Sequence, residues 1–351
     1  IDPLFLPGGF VGVDVFFVIS GFLITSLVHQ DLIKQKFCFK AFYIKRIRRI
    51  IPVLLLMLAV TSIVSFFILT PEHLYAYAKT LLAQPLSLQN FVFLSEGEYF
   101  LKSDGKPLLH TWSLAVEEQF YLFWPVLLYF LIRLRSLFFF TILVGLLLAS
   151  FSLNLFFSSS SEMVAFYLLP SRAWELTVGG LTAIALLYFQ KNKKMVASNA
   201  LMNLLPLIGF LLLLGSFIFL NSKMQFPGYI ALIPVLGTVC ILFSFPTWHS
   251  LVKQLLASQV AVKIGLISYS LYLWHWPILA FLTQLEIDKS TWPAVVFIVV
   301  LSFVLSMASY RWLERPIIEK QLFRSNRSLF TFVLSTVVVL IAFSVHILTS
   351  K

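Results

Sequence analysis

Stretches of about 20 mostly apolar residues, enough to cross a hydrocarbon layer ~30 Å thick as helices, recur from one end of the chain to the other. The pattern predicts spans near residues 8–28, 47–69, 112–133, 137–157, 168–189, 201–220, 228–245, 264–283, 292–312 and 328–349. Between the second and third of these, residues 73–94 mix His73, Lys79, Gln84, Gln89 and Asn90 into an apolar background, which predicts a helix lying at the membrane interface. The expected fold class is all-α, a polytopic transmembrane helix bundle with about ten spans. The two halves share neither polar positions nor helix-breaking patterns, unlike the many transporter folds built from repeats. Residues 1–327 read as one transmembrane domain and residues 328–351 as an additional helix leading outward.

Composition strengthens the membrane reading, and charge orients it. Of the 351 residues 60% are hydrophobic and 12% charged, against roughly 45–50% and 25% in soluble domains. The net charge of +11 does not indicate a nucleic-acid partner, because the basic residues gather between spans. Most of the 26 Lys and Arg residues fall in loops 29–49, 133–136, 190–198, 246–263 and 311–327, which the alternation of spans places on one side. By the positive-inside rule that side is the cytoplasm, so the surroundings expected are a lipid bilayer. Both chain ends then face outward, with Lys351 extracytoplasmic. The opening residues IDPLFLPGG show no initiator Met and no signal-peptide layout, which leads to the expectation that a segment precedes Ile1. Cys38 falls in an inner loop and Cys240 within a span, so neither a disulfide nor a metal site is expected.

Ionisable groups inside spans are costly and are functional candidates by default. Asp14 sits within GGFVGVDVFFVISGFLIT, about 9 Å below the outer end of its helix at 1.5 Å per residue. In HTWSLAVEEQFYLFWP, residues 110–125, Glu117 and Glu118 lie about 8–9 Å below Trp112. LPSRAWEL sets Arg172 and Glu175 one turn apart on one helix face. ISYSLYLWHWPIL, residues 267–279, runs the opposite way and brings His275 to the outer half as well. There Pro277 withholds a backbone bond, freeing a carbonyl near Leu273 for other partners. Four helices are thus expected to converge on one outer polar layer. A second cluster, KRIRRIIP at 45–52 with YRWLERPI at 310–317, is cationic and belongs to the inner face.

Plainer roles compete at each position. Lys45, Arg46, Arg48 and Arg49 suit an anchor on anionic lipid, Arg172 with Glu175 a structural salt bridge, and Trp112, Trp174, Trp274 and Trp276 an interfacial aromatic belt. A single His275 suits helix packing. Two adjacent carboxyls in a membrane helix, Glu117 and Glu118, are harder to reduce to packing. The layer also sets Asp14, Glu117, Glu118 and Glu175 against Arg172 alone, so protons or further cations must balance it.

The segments GGFVGVDVFFVISGFLIT, RRIIP, HTWSLAVEEQFYLFWP, PSRAWEL, ISYSLYLWHWPIL and ERPI, in this order over residues 8 to about 318, resemble the bacterial acyltransferase-3 family. Its members are integral-membrane O-acetyltransferases of lipopolysaccharide O-antigen, peptidoglycan and other surface glycans. The resemblance implies a ten-helix bundle that takes an acetyl group from cytoplasmic acetyl-CoA, without a metal, and delivers it to a hydroxyl of a surface glycan or lipid-linked glycan. It implies catalytic roles for Asp14, Glu117, Glu118 and Arg172, and substrate contacts for Trp112, Glu175, Tyr272 and His275. Arg46, Arg48, Arg49 and Arg311 would hold the phosphates of coenzyme A. In the family a first helix carries a basic residue and, about ten positions later, the catalytic His. The sequence opens just past that point, and none of its six histidines matches that residue. The implied mechanism uses a His of that preceding helix, oriented by Asp14 or Glu117, as general base or transient acyl carrier. Arg172 and backbone groups near Pro277 would hold the developing oxyanion or the sugar. Longer members continue from a helix like 328–349 into an extracytoplasmic hydrolase-like domain, so a fragment or short form of a longer enzyme is expected. Two other readings stay open: a secondary transporter of a sugar or anion whose carboxylates relay protons, and an inactive remnant of the family.

Overall fold

The computed structural model describes residues 7–97, 105–191, 199–221, 223–244 and 251–350. Among these residues every regular element is helical and no strand occurs. A 3-10 turn at Gly9–Val11 leads into α1 (Gly12–Ile33), followed by α2 (Phe39–Ile68), α3 (Pro71–Ala83), α4 (Gln89–Glu96) and α5 (Thr111–Leu131). Next come α6 (Ser136–Ser160), the short α7 (Glu162–Tyr167), α8 (Leu169–Lys191), α9 (Asn199–Phe219) and α10 (Leu232–Ser244). The chain continues through α11 (Leu251–Leu256), α12 (Gln259–Gln284), α13 (Trp292–Ser309), α14 (Arg315–Ile318) and α15 (Asn326–Thr349).

Seven helices, beginning at Gly9, Phe39, Thr111, Ser136, Gln259, Trp292 and Asn326, are long and apolar enough to cross a membrane. Two more of the expected spans are shorter apolar helices, Leu204–Phe219 and Tyr229–Ser244. The tenth corresponds to α8, 23 residues long and carrying Arg172 and Glu175 in its first two turns. The all-α, multi-pass reading therefore holds. Residues 1–6, the basic stretch 192–198 and Lys351, on which part of the reading of loops and chain ends rests, lie outside the described residues.

The single interfacial helix expected over 73–94 is two helices. Pro71 and the Thr70 hydroxyl, which accepts from the His73 amide, open α3. Pro85 then falls in a 3-10 turn, and Ser87 takes a left-handed backbone (φ 52°) that redirects the chain into α4. On α3 the buried Tyr77 hydroxyl meets Thr61 and Ser62 of α2 at 3.0 and 2.9 Å. Burial pushes the Tyr77 phenol up to about 12, so it stays a neutral hydrogen-bonding pin between the two helices.

The chain divides into two compact units, residues 1–37 with 116–262 and residues 38–115 with 263–351, the boundaries falling just ahead of α2 and inside α5 and α12. In the first unit α1 lies against α8, α8 against α6, and α9 against α10. Glycines set the α1–α8 spacing: a Cβ at Gly21 would overlap the Leu176 carbonyl, and one at Gly179 the Val18 carbonyl. Where lipid offers no hydrophobic drive between helices, such small residues let backbones touch. In the second unit α15 lies against α3 and α2, and α13 runs through a π turn, Tyr310–Glu314, into α14.

Candidate functional site

In the first unit the close α1–α8 crossing brings the first turn of α1 against the first turns of α8. Arg172 Nη2 lies 3.1 Å from Asp14 Oδ1, and Arg172 Nη1 lies 2.8 Å from Glu175 Oε1. All three side chains are at most 1% exposed. The guanidinium carbon sits 5.5, 5.7 and 5.8 Å from the ring centres of Phe17, Phe166 and Phe226, within cation–π range of each. Taking such a cluster out of water costs several kcal/mol per ion before pairing repays it, so this is an expensive arrangement. With all three groups ionised, the cluster carries one negative charge in excess.

Glu117 is held separately. The hydroxyls of Ser20 on α1 and Tyr121, one turn along α5, both donate to Glu117 Oε1. Farther along the same two helices Trp124 Nε1 donates to Thr25 Oγ1 at 2.8 Å. Ser20 follows Asp14 by six residues, about 9 Å along α1. Within this unit the expected single polar layer is thus two levels, the Arg172 cluster at one and the Glu117 carboxyl at the other. Glu118 is partly buried.

The second unit gathers the other outer candidates. Trp112 is 1% exposed and His110 4% exposed. The Tyr272 hydroxyl donates to the His110 carbonyl and is paired with Ser113 Oγ, both at 2.5 Å. His275 Nδ1 lies 2.6 Å from the Tyr272 carbonyl oxygen, and Trp276 Nε1 donates to the Lys106 carbonyl at 2.9 Å. Pro277 interrupts the helix at the Leu273 carbonyl, and the imidazole of His110 faces that carbonyl. Sequence reasoning anticipated the freed carbonyl and missed His110, whose two ring nitrogens are buried without a hydrogen-bond partner among the described residues. His110 opens the HTWS segment just ahead of α5, outside the predicted span, so no burial cost drew attention to it.

The cationic cluster also separates by residue. Arg48 is 4% exposed and donates to Ile317 O at 3.4 Å, Phe323 O at 2.9 Å and Asn326 Oδ1 at 3.0 Å. It clasps the segment between α14 and α15 to α2. Glu314 in the π turn is buried and accepts from Ser270 Oγ at 2.8 Å. Arg46 is half-buried, whereas Arg49 and Arg311 are exposed.

The acyltransferase domain family matches residues 2–311 of the chain. The O-acetyltransferase OatA of Staphylococcus aureus (strain NCTC 8325) is 31% identical over 333 residues, covering 91% of this chain and 54% of its own length. The peptidoglycan O-acetyltransferase OatA of Listeria monocytogenes serovar 1/2a is 33% identical over 325 residues, covering 88% of this chain and 51% of its own length. The chain spans about half the length of these curated relatives. No solved structure matches it at a significant level.

Proposed function

Because the chain belongs to the acyltransferase domain family, we propose that it transfers an acetyl group from cytoplasmic acetyl-CoA to a hydroxyl of a cell-surface glycan, peptidoglycan being the first acceptor to test. The observation that carries this reading beyond family membership is the Glu117 carboxyl, 3% exposed and bonded by the hydroxyls of Ser20 and Tyr121. A carboxyl that already accepts from two hydroxyls suits the capture of a sugar hydroxyl in place of one of them.

In this proposal Glu117, with Glu118, acts on the acceptor. Arg172 and Asp14, enclosed with Glu175, act as positioning residues that hold the start of α8 against α1. In the second unit Tyr272 and His275 are partly exposed and Trp112 is enclosed. Arg49 and Arg311 supply exposed cations for coenzyme A phosphates, with the half-buried Arg46 as a third. The protein acts in the plasma membrane of a bacterium, with the arginine cluster cytoplasmic and the C-terminus outward, and no metal takes part.

The reading is tested by O-acetylation of the host glycan in cells expressing the full-length protein. Glu117→Gln, at wild-type membrane levels, lowers acetylation by roughly 100-fold, the lower range for a lost acid or base. Wild-type acetylation in that variant would sink the assignment of Glu117.

A further inference from the structure

We propose that Gln84, Gln89 and His110 form a subsite that holds hydroxyl or amide N–H groups of the glycan acceptor, an inference that rests on the acyl-transfer reading above. Gln84 Nε2 donates to Thr111 Oγ1 at 2.7 Å, and Gln89 Nε2 donates to the Thr111 carbonyl at 2.8 Å. Thr111 sets the direction of both amides. Its hydroxyl already spends its hydrogen on the Leu108 carbonyl at 2.7 Å, so that oxygen and the Thr111 carbonyl both require a donor. Each glutamine therefore turns its nitrogen to Thr111 and keeps its oxygen unused.

The side chains of Gln84, Gln89 and His110 are 4%, 2% and 4% exposed. Among the described residues Gln84 Oε1, Gln89 Oε1 and both ring nitrogens of His110 have no hydrogen-bond partner. A buried polar atom left unpaired costs more than an ordinary hydrogen bond returns, and helix packing does not call for four of them around two neighbouring residues. Their chemistry is specific. Two amide oxygens and one nitrogen of a neutral imidazole accept, and the other imidazole nitrogen donates. That set suits a neutral sugar, whose hydroxyls both donate and accept. It does not suit a phosphate or a metal ion, since the amides carry no charge and Lys106 is already paired with Glu96 at 2.6 Å. The chain passes here between α2 and α5 on the side opposite the basic loops, where the reading above places the glycan.

His110 also stands where the backbone is free to yield. Residues 105–110 form turns rather than a helix, and side chains of α12 hold them in place. Gln284 Nε2 donates to the Gly105 carbonyl at 2.9 Å, Trp276 Nε1 to the Lys106 carbonyl at 2.9 Å, and the Tyr272 hydroxyl to the His110 carbonyl at 2.5 Å. A segment tied by a few side-chain bonds opens at lower cost than a helical ladder, which gives a ligand its way to the enclosed atoms.

The test uses the full-length protein in detergent with a radiolabelled soluble peptidoglycan fragment as probe, read both as equilibrium binding and as KM and kcat for acetyl transfer from acetyl-CoA. His110→Phe keeps a ring and gives up no hydrogen bond within the protein, so its thermal midpoint is expected to hold or rise. Its Kd and KM for the fragment are expected to rise about tenfold, with kcat and the KM for acetyl-CoA within about twofold. Gln89→Leu is expected to shift Kd and KM in the same direction per folded molecule. If water alone occupies these atoms, both variants bind the fragment as the wild type does. That result overturns the inference, as does binding that falls only in step with folded protein, or a wild-type protein that binds no fragment. A wild-type protein whose binding depends on these residues but which transfers no acetyl group overturns the acyl-transfer reading alone.

Discussion

Arg172 holds Asp14 at 3.1 Å and Glu175 at 2.8 Å with its own side chain 1% exposed, so its removal strands two carboxyls in the interior. Breaking one partner out of a buried ion cluster typically costs about 3–5 kcal/mol. Arg172→Ala is expected to lose stability on that scale, read as a lowered thermal midpoint in detergent. Arg172→Lys keeps the charge but cannot fork to two carboxyls at once, and recovers only part of the loss. Glu117→Gln, which keeps size and hydrogen bonding, is expected to lose activity without a comparable loss of stability. Of these contacts, Arg172 with Glu175 was legible from their spacing, and Asp14 from its cost within a span. Ser20 was not. A hydroxyl carries no charge to signal its depth, so nothing in the sequence indicated that Glu117 would pair at the level of Ser20 rather than beside Asp14.

Among elements, the α1–α8 pair depends on backbone contact. Gly179→Ala would drive a methyl group into the Val18 carbonyl, and overpacking of this kind costs roughly 1–3 kcal/mol. Gly145→Ala, where nothing lies within 4 Å, serves as the silent control in the same thermal measurement. In the second unit the Arg48 clasp predicts a different readout. Arg48→Ala frees three acceptors around Ile317, Phe323 and Asn326, and hydrogen exchange in segment 318–325 is expected to speed up by about tenfold or more. The long spans were legible because apolar length alone defines them. The break between α3 and α4 was not, because polar residues at helical spacing masked the turn at Pro85 and Ser87. The four arginines also read as one patch until helical phase, about 100° per residue, turned Arg48 inward and Arg49 outward.

For the whole molecule, the distribution of basic loops predicts a fixed orientation in the membrane. Cys38 is exposed in the loop assigned to the cytoplasm. A membrane-impermeant maleimide is expected to label it in inside-out vesicles and not in intact spheroplasts; the reverse pattern would invert the topology. Orientation bears on the proposed chemistry, in which acetyl-CoA reaches the face carrying Arg49 and Arg311. Buried carboxyls alone would also suit a proton-coupled transporter, so the most direct measurement is one in which the two activities leave different products. Proteoliposomes of the full-length protein are supplied with acetyl-labelled coenzyme A on the arginine-bearing side and peptidoglycan fragments on the other. Acyl transfer predicts label on the glycan as an alkali-labile ester, lost with Glu117→Gln. Unlabelled glycan with the wild-type protein, or glycan fragments carried across the bilayer without an ester, would contradict it.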